Sequence, residues 1–163
     1  MNALPDLFPP RLLVIRTAHR SELALFDLAA ELALDGTVRA LDGGNCINIY
    51  PLARALRRRT ARLQAVLGNV RLARAFTCYQ MLALLVETPA SPAPTLVLDL
   101  LCTFYDESVP LPESRRLLDA AIRELLRLRA GGPLAVSVRA PGAAAASRLP
   151  LYEALLSAAE ERL

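Results

Sequence analysis

The chain contains no lysine; all nineteen of its basic residues are arginine. That excludes Schiff-base chemistry, lysine nucleophiles and the usual lysine of a phosphate-binding loop. An arginine- and alanine-rich composition fits a GC-rich genome. Glycine is sparse, and none of the seven precedes Gly36. The three cysteines, Cys46, Cys78 and Cys102, form no C-x-x-C pair, and their odd number argues for reduced thiols rather than disulfides. No uninterrupted apolar run reaches the roughly 18 residues that a bilayer requires. The opening residues, MNALPDLFPPR, lack the basic-then-apolar pattern of a secretion signal. The expectation is a cytoplasmic protein with no membrane partner.

What is present suits a packed domain. Apolar residues make up 54% of 163, which is too many for a disordered chain and enough for one core. The net charge of +3 is modest. Five β-type runs alternate with five helical ones. The strand candidates are Leu12–Ile15, Val38–Leu41, Val70–Ala75, Thr95–Leu100 and Leu134–Val138. Three of them read as nearly continuous apolar stretches, as strands buried on both faces do. The helical candidates are Glu22–Leu34, Leu52–Val66, Tyr79–Glu87, Glu113–Arg129 and Leu151–Arg162. In the fourth, Leu117, Leu118, Ala121, Ile122, Leu125 and Leu128 recur at helical spacing. It opens on Pro112 and Glu113 and closes on Arg127, Arg129 and Gly131-Gly132, which suits the helix dipole and a C-cap. Regular β-α alternation implies parallel strands with right-handed crossovers, hence a three-layer doubly wound α/β domain. Residues 1–10 read as an irregular N-terminal arm, and 141–149 as a flexible small-residue loop.

Ligands of such sheets bind at the carboxyl ends of the strands. The five exits carry Arg16–Ser21, Asp42–Cys46, Phe76–Gln80, Asp99 with Leu101–Glu107, and Arg139–Gly142. Leu41-Asp42-Gly43-Gly44-Asn45, then Asn69–Phe76 followed by Gln80, then Leu96-Val-Leu-Asp99, are similar in order and spacing to segments of the RecA superfamily of ATPase cores. The archaeal and eukaryotic recombinases and their paralogues are the nearest members. The resemblance runs from about Leu12 to Arg139. It implies a mainly parallel five-stranded sheet of order 3-2-4-5-1. It also implies a vestigial nucleotide site of His19, Arg20, Ser21, Asp42, Gln80 and Asp99, the last in the position of the aspartate that orients the Mg²⁺ water shell.

The departures bear on activity. A phosphate-binding loop needs glycines for its N–H cradle, a lysine, and a Ser or Thr on Mg²⁺. Here His19-Arg20-Ser21 stands where the family has Gly-Lys-Ser/Thr, and Gly43 or Gly44 replaces the glutamate that activates water. Unaided ATP hydrolysis is not expected, and no catalytic residue or cofactor is assigned; ATP with Mg²⁺ stays open as a ligand. Asp99 reads either as a residual Mg²⁺ partner or as an inherited carboxylate bonded to loop N–H groups. Asp42 is equally readable as part of a good Asp-Gly-Gly turn.

Two further constellations stand out. His19, Cys46, Cys78 and Cys102 each follow a strand end, and that donor set suits a soft metal such as zinc; the alternative is ordinary free cysteine. Arg54, Arg58 and Arg62 share a face at i, i+4, i+8 spacing on the second helix, with Arg57 beside them and Arg59 turned toward the leucine side. They read either as a phosphate-tracking patch for nucleic acid or as a solvated face. The loops in which the family contacts DNA are poor in aromatics here, with Arg148 the one basic residue near the second. Three functions follow as expectations. The first is a non-catalytic module that associates with itself or with an active RecA-like ATPase, accessory to DNA recombination or repair. The others are an atypical ATPase using Arg20, Ser21 and Asp99, and a nucleic-acid-binding module using the second-helix arginines.

Overall fold

The computed structural model describes residues 12–18, 22–45, 49–159 and 161–162. The strands are β1 (Leu12–Arg16), β2 (Val38–Asp42), β3 (Val70–Arg74), β4 (Thr95–Leu98), β5 (Leu134–Val138) and the two-residue β6 (Glu161–Arg162). The helices are α1 (Glu22–Asp35), α2 (Ile49–Arg57), α3 (Leu63–Leu67), α4 (Cys78–Glu87), α5 (Leu111–Gly131) and α6 (Leu149–Ala158). The strands form one sheet in the order β3-β2-β4-β5-β1-β6, and every pair is parallel. Its first five members keep the order that the resemblance implied.

The strands alternate residue by residue between two cores. Leu12, Val14, Val97, Leu134, Val136 and Val138 face α4, α5 and α6, while Leu13, Ala40, Leu96, Leu98 and Ala135 face α1, α2 and α3. Alternate side chains of a strand project to opposite faces, so an apolar run with no polar face needs helices on both sides. The architecture is therefore the three-layer doubly wound α/β fold expected from the pattern.

Four local departures have physical causes. The second helical run breaks after Arg57, because the Arg59 and Thr60 amides both turn back to the Leu56 carbonyl. Thr60 Oγ then accepts the Arg62 amide at 3.0 Å, a side-chain competitor to the helix ladder. The last helix stops at Ala158, and 161–162 pair with Leu13 and Val14 instead. Residues 143–148, expected as loop, form a 3₁₀ turn closed by a buried Arg148. Gly132 adopts extended backbone rather than a left-handed cap; its place is fixed by close approach, since a Cβ there would lie 2.4 Å from the Ser91 carbonyl oxygen. Arg127 caps a different helix from its own: Nη2 donates to the Leu85 and Thr88 carbonyls at the end of α4, both at 2.9 Å.

Candidate functional site

The carboxyl ends of β2 and β4 lie side by side and bring Asp42 and Asp99 to one edge of the sheet. Asp42, the last residue of β2, is fully buried. Its Oδ1 accepts the Gly44 amide at 3.1 Å, and its Oδ2 lies 3.3 Å from Nε of Arg74, its register partner on β3. Asp99 follows β4 in the left-handed region, with φ at 50°, a conformation that aspartate tolerates better than most residues. Its amide donates to Ser137 Oγ at 2.8 Å, and its Oδ2 accepts from Nε of Arg139 at 2.9 Å and from Nη2 of the same side chain. Each strand-end carboxylate thus carries a guanidinium from the neighbouring strand's end.

Gly43 and Gly44 are what allow this approach. A Cβ on Gly44 would stand 2.5 Å from Asp99 Oδ2, and one on Gly43 would stand 2.9 Å from the Asp99 carbonyl oxygen. A glutamate at either position does not fit over Asp99 as packed here. Beside the pair, a cleft of about 240 Å³ is lined by Asp99, Cys102, Tyr105, Arg139, Ala140 and Gly142. The Tyr105 hydroxyl donates to the Arg139 carbonyl at 2.6 Å, and burial pushes its phenol well above the ordinary range. Desolvation also raises the Cys102 thiol; Asp99 raises it further and Arg139 opposes. A thiol held protonated is a poor nucleophile.

No family model and no curated protein matches the chain. The site's meaning therefore rests on its own geometry.

Of the residues read as a vestigial nucleotide site, His19, Arg20 and Ser21 lie outside the described residues, as does Cys46. Gln80 sits in the first turn of α4, where its Oε1 accepts the Phe76 amide at 2.9 Å while Thr77 Oγ accepts the Gln80 amide at 3.1 Å. That is a variant of the capping box, with the return bond made to Phe76 and not to the N-cap Thr77, and Thr77-x-x-Gln80 was its signature in the sequence. Of the cysteines read with His19 as a metal set, Cys78 is buried at the start of α4 and Cys102 is exposed beyond β4. Among the described residues no group of three or more His, Cys, Asp or Glu side chains is placed to hold a metal. Among them too, no helix is long and apolar enough to cross a membrane.

The basic patch is split by the break after α2. Arg54 and Arg58 line a cleft of about 390 Å³ between α1 and α2, together with Phe26, Asp27, Tyr50, Pro51 and Ala55. Arg57 is exposed beside them, but Arg62 precedes α3 and is not part of that lining. Arg59 folds back on α1, with Nη1 3.3 Å from Asp27 Oδ1 and 2.9 Å from the Ala55 carbonyl. Arg148 does not face a nucleic-acid loop at all. It is buried, donating to Ser114 Oγ at 3.1 Å and to the Asp106 and Val109 carbonyls at 3.0 and 2.7 Å.

Proposed function

We propose that the chain is a non-catalytic RecA-like module that works by protein association, with itself or with an active ATPase of the same architecture. The observation that carries this reading is the β3 edge. Among the described residues, β3 pairs only with β2. A parallel sheet ordinarily hides its strands, yet Leu72 on β3 is 44% exposed and Phe76 just beyond it 67%. Leu72 also borders an apolar cleft with Ile49, Leu52, Leu67 and Val70. An open strand edge flanked by apolar side chains is a template for another chain.

The carboxyl ends of β2 and β4 support a non-catalytic reading. Arg74 on Asp42 and Arg139 on Asp99 put a guanidinium on one oxygen of each carboxylate, positive charge that disfavours a Mg²⁺ ion beside it. DNA recombination or repair as the setting rests on the resemblance in segment order, which is a fold-level analogy.

The test is light scattering across micromolar to sub-millimolar concentrations, alone and with candidate RecA-like ATPases. The reading expects a complex or self-association that the double substitution Leu72→Asp with Phe76→Asp abolishes. A monomer that binds no such partner overturns it. Calorimetry with Mg-ATP discriminates the ATPase alternative using Arg20, Ser21 and Asp99: heat at millimolar nucleotide would favour that reading over this one.

A further inference from the structure

Tyr50, Arg54 and Arg58 follow one another at four-residue intervals, the first two in α2 and the third directly after it. Helical rise sets them about 6 Å apart, so they run along about 12 Å of surface. All three line the same cleft, and the nearly buried ring of Phe26 forms part of its wall. Tyr50 is 78% exposed, an unusual position for a tyrosine ring against solvent.

The described residues leave this stripe with a net positive charge. Arg54, Arg57 and Arg58 have no carboxylate partner among the described residues, whereas Arg115 and Arg116 on α5 pair with Asp119 and Glu113. The one acid among the described residues lining the cleft, Asp27, is held by Arg59. A concave basic surface with an aromatic face selects a polyanion that also has flat apolar faces. An acidic peptide satisfies the charges but leaves the ring unused, and a duplex hides its base faces in the stack.

We propose that the α1–α2 cleft binds single-stranded nucleic acid, with a base stacked on Tyr50 and backbone phosphates on Arg54 and Arg58. This cleft shares Phe26 with the apolar cleft beside β3, but its charged and aromatic lining is its own, and the proposal does not depend on the association reading. It also lies away from the Asp99 cleft, so it requires no nucleotide chemistry.

The experiment is fluorescence anisotropy of the full chain with a labelled oligothymidylate, an abasic oligonucleotide of equal length, the duplex, and polyglutamate as competitor. The oligothymidylate binds at low salt and is released as salt rises. Replacing Arg54 and Arg58 together by Ala weakens binding at least tenfold and makes the log–log salt dependence shallower by about 1.4, the value for two single-strand phosphates. Tyr50→Ala weakens the oligothymidylate roughly 5- to 150-fold, as loss of one stacking contact does, and leaves the abasic strand unchanged. Tyr50→Phe restores the affinity, which also shows that the ring and not the hydroxyl acts. The double variant Arg115→Ala with Arg116→Ala removes equal charge elsewhere and leaves binding intact. The proposal is overturned if the oligothymidylate does not bind at low salt, or if the α5 double variant loses as much as the α2 one. It is equally overturned if Tyr50→Ala has no effect, or if polyglutamate or the duplex binds as tightly as the single strand.

Discussion

Nε of Arg139 lies 2.9 Å from Oδ2 of Asp99, joining the ends of two adjacent strands. The two partners are unequally buried, the Asp99 side chain being 4% exposed and Arg139 26%. Removing one partner costs most when it strands the other's charge away from water. Arg139→Ala, which leaves the buried carboxylate unpaired, is expected to destabilise by about 3–5 kcal/mol. Asp99→Asn leaves a guanidinium that water can reach and keeps a residue that accepts positive φ, so about 1–3 kcal/mol is expected. Urea unfolding of both variants measures the difference. Equal costs, or the reverse order, would show that the pair is not a buried charge interaction.

Gly44 offers an independent probe of the same contact. Its φ lies outside the left-handed range, so alanine is torsionally acceptable there and the penalty is steric. With the new Cβ 2.5 Å from Asp99 Oδ2, Gly44→Ala is expected to lose about 1–3 kcal/mol, the usual cost of overpacking. Asp99→Gly removes the obstructing side chain and suits the positive φ. In that background the Gly44→Ala penalty should largely vanish. A double-mutant cycle with no coupling would sink this account of the glycine pair.

The β-α alternation was legible because strands buried on both faces leave long apolar runs, whereas the strand order came only from the resemblance in segment order. Asp42 and Asp99 were legible as strand-end carboxylates. Their partners were not, because Arg74 and Arg139 come from strands adjacent in space, and pairing needs the register Asp42↔Arg74 that only the folded sheet supplies. The place of Arg59 was hidden for a similar reason. Arg59 leaves the helical stripe to reach Asp27 on α1, 32 residues earlier. Gln80 is different: its Thr77-x-x-Gln80 capping pattern was present in the local sequence, and its role needed no tertiary information.

Arg148 was invisible as a structural residue. It is 3% exposed and donates only to neutral oxygens, those of Ser114, Asp106 and Val109, so it holds residues 106–109 against the start of α5. Arg148→Ala leaves the buried Ser114 hydroxyl and two partly buried carbonyls without this donor and opens a void. The expected loss is about 2–4 kcal/mol, from unmade hydrogen bonds to a charged group. Hydrogen exchange should show the loss of protection concentrated in 106–114 before global unfolding. Uniform loss across the sheet, or a cost below about 0.5 kcal/mol as for an ordinary surface substitution, would contradict the anchoring role.

Cys102 reports on the electrostatics of the Asp99 cleft. Its thiol is raised first by desolvation and then by Asp99, while Arg139 lowers it. Only the thiolate alkylates, so the pH at which iodoacetamide labelling reaches half its maximal rate follows the thiol's pKa. Asp99→Asn removes a group that disfavours the thiolate and leaves the guanidinium that favours it; the half-rate pH must fall. Arg139→Ala does the opposite, and the half-rate pH must rise above that of the unaltered protein. Peptide mapping by mass spectrometry separates this label from Cys46 and from Cys78, which is buried and whose thiol is raised by its own desolvation. The predicted order of half-rate pH is Asp99→Asn, unaltered, Arg139→Ala. If both variants shift in the same direction, desolvation alone governs the thiol, and the charge pair does not control the cleft.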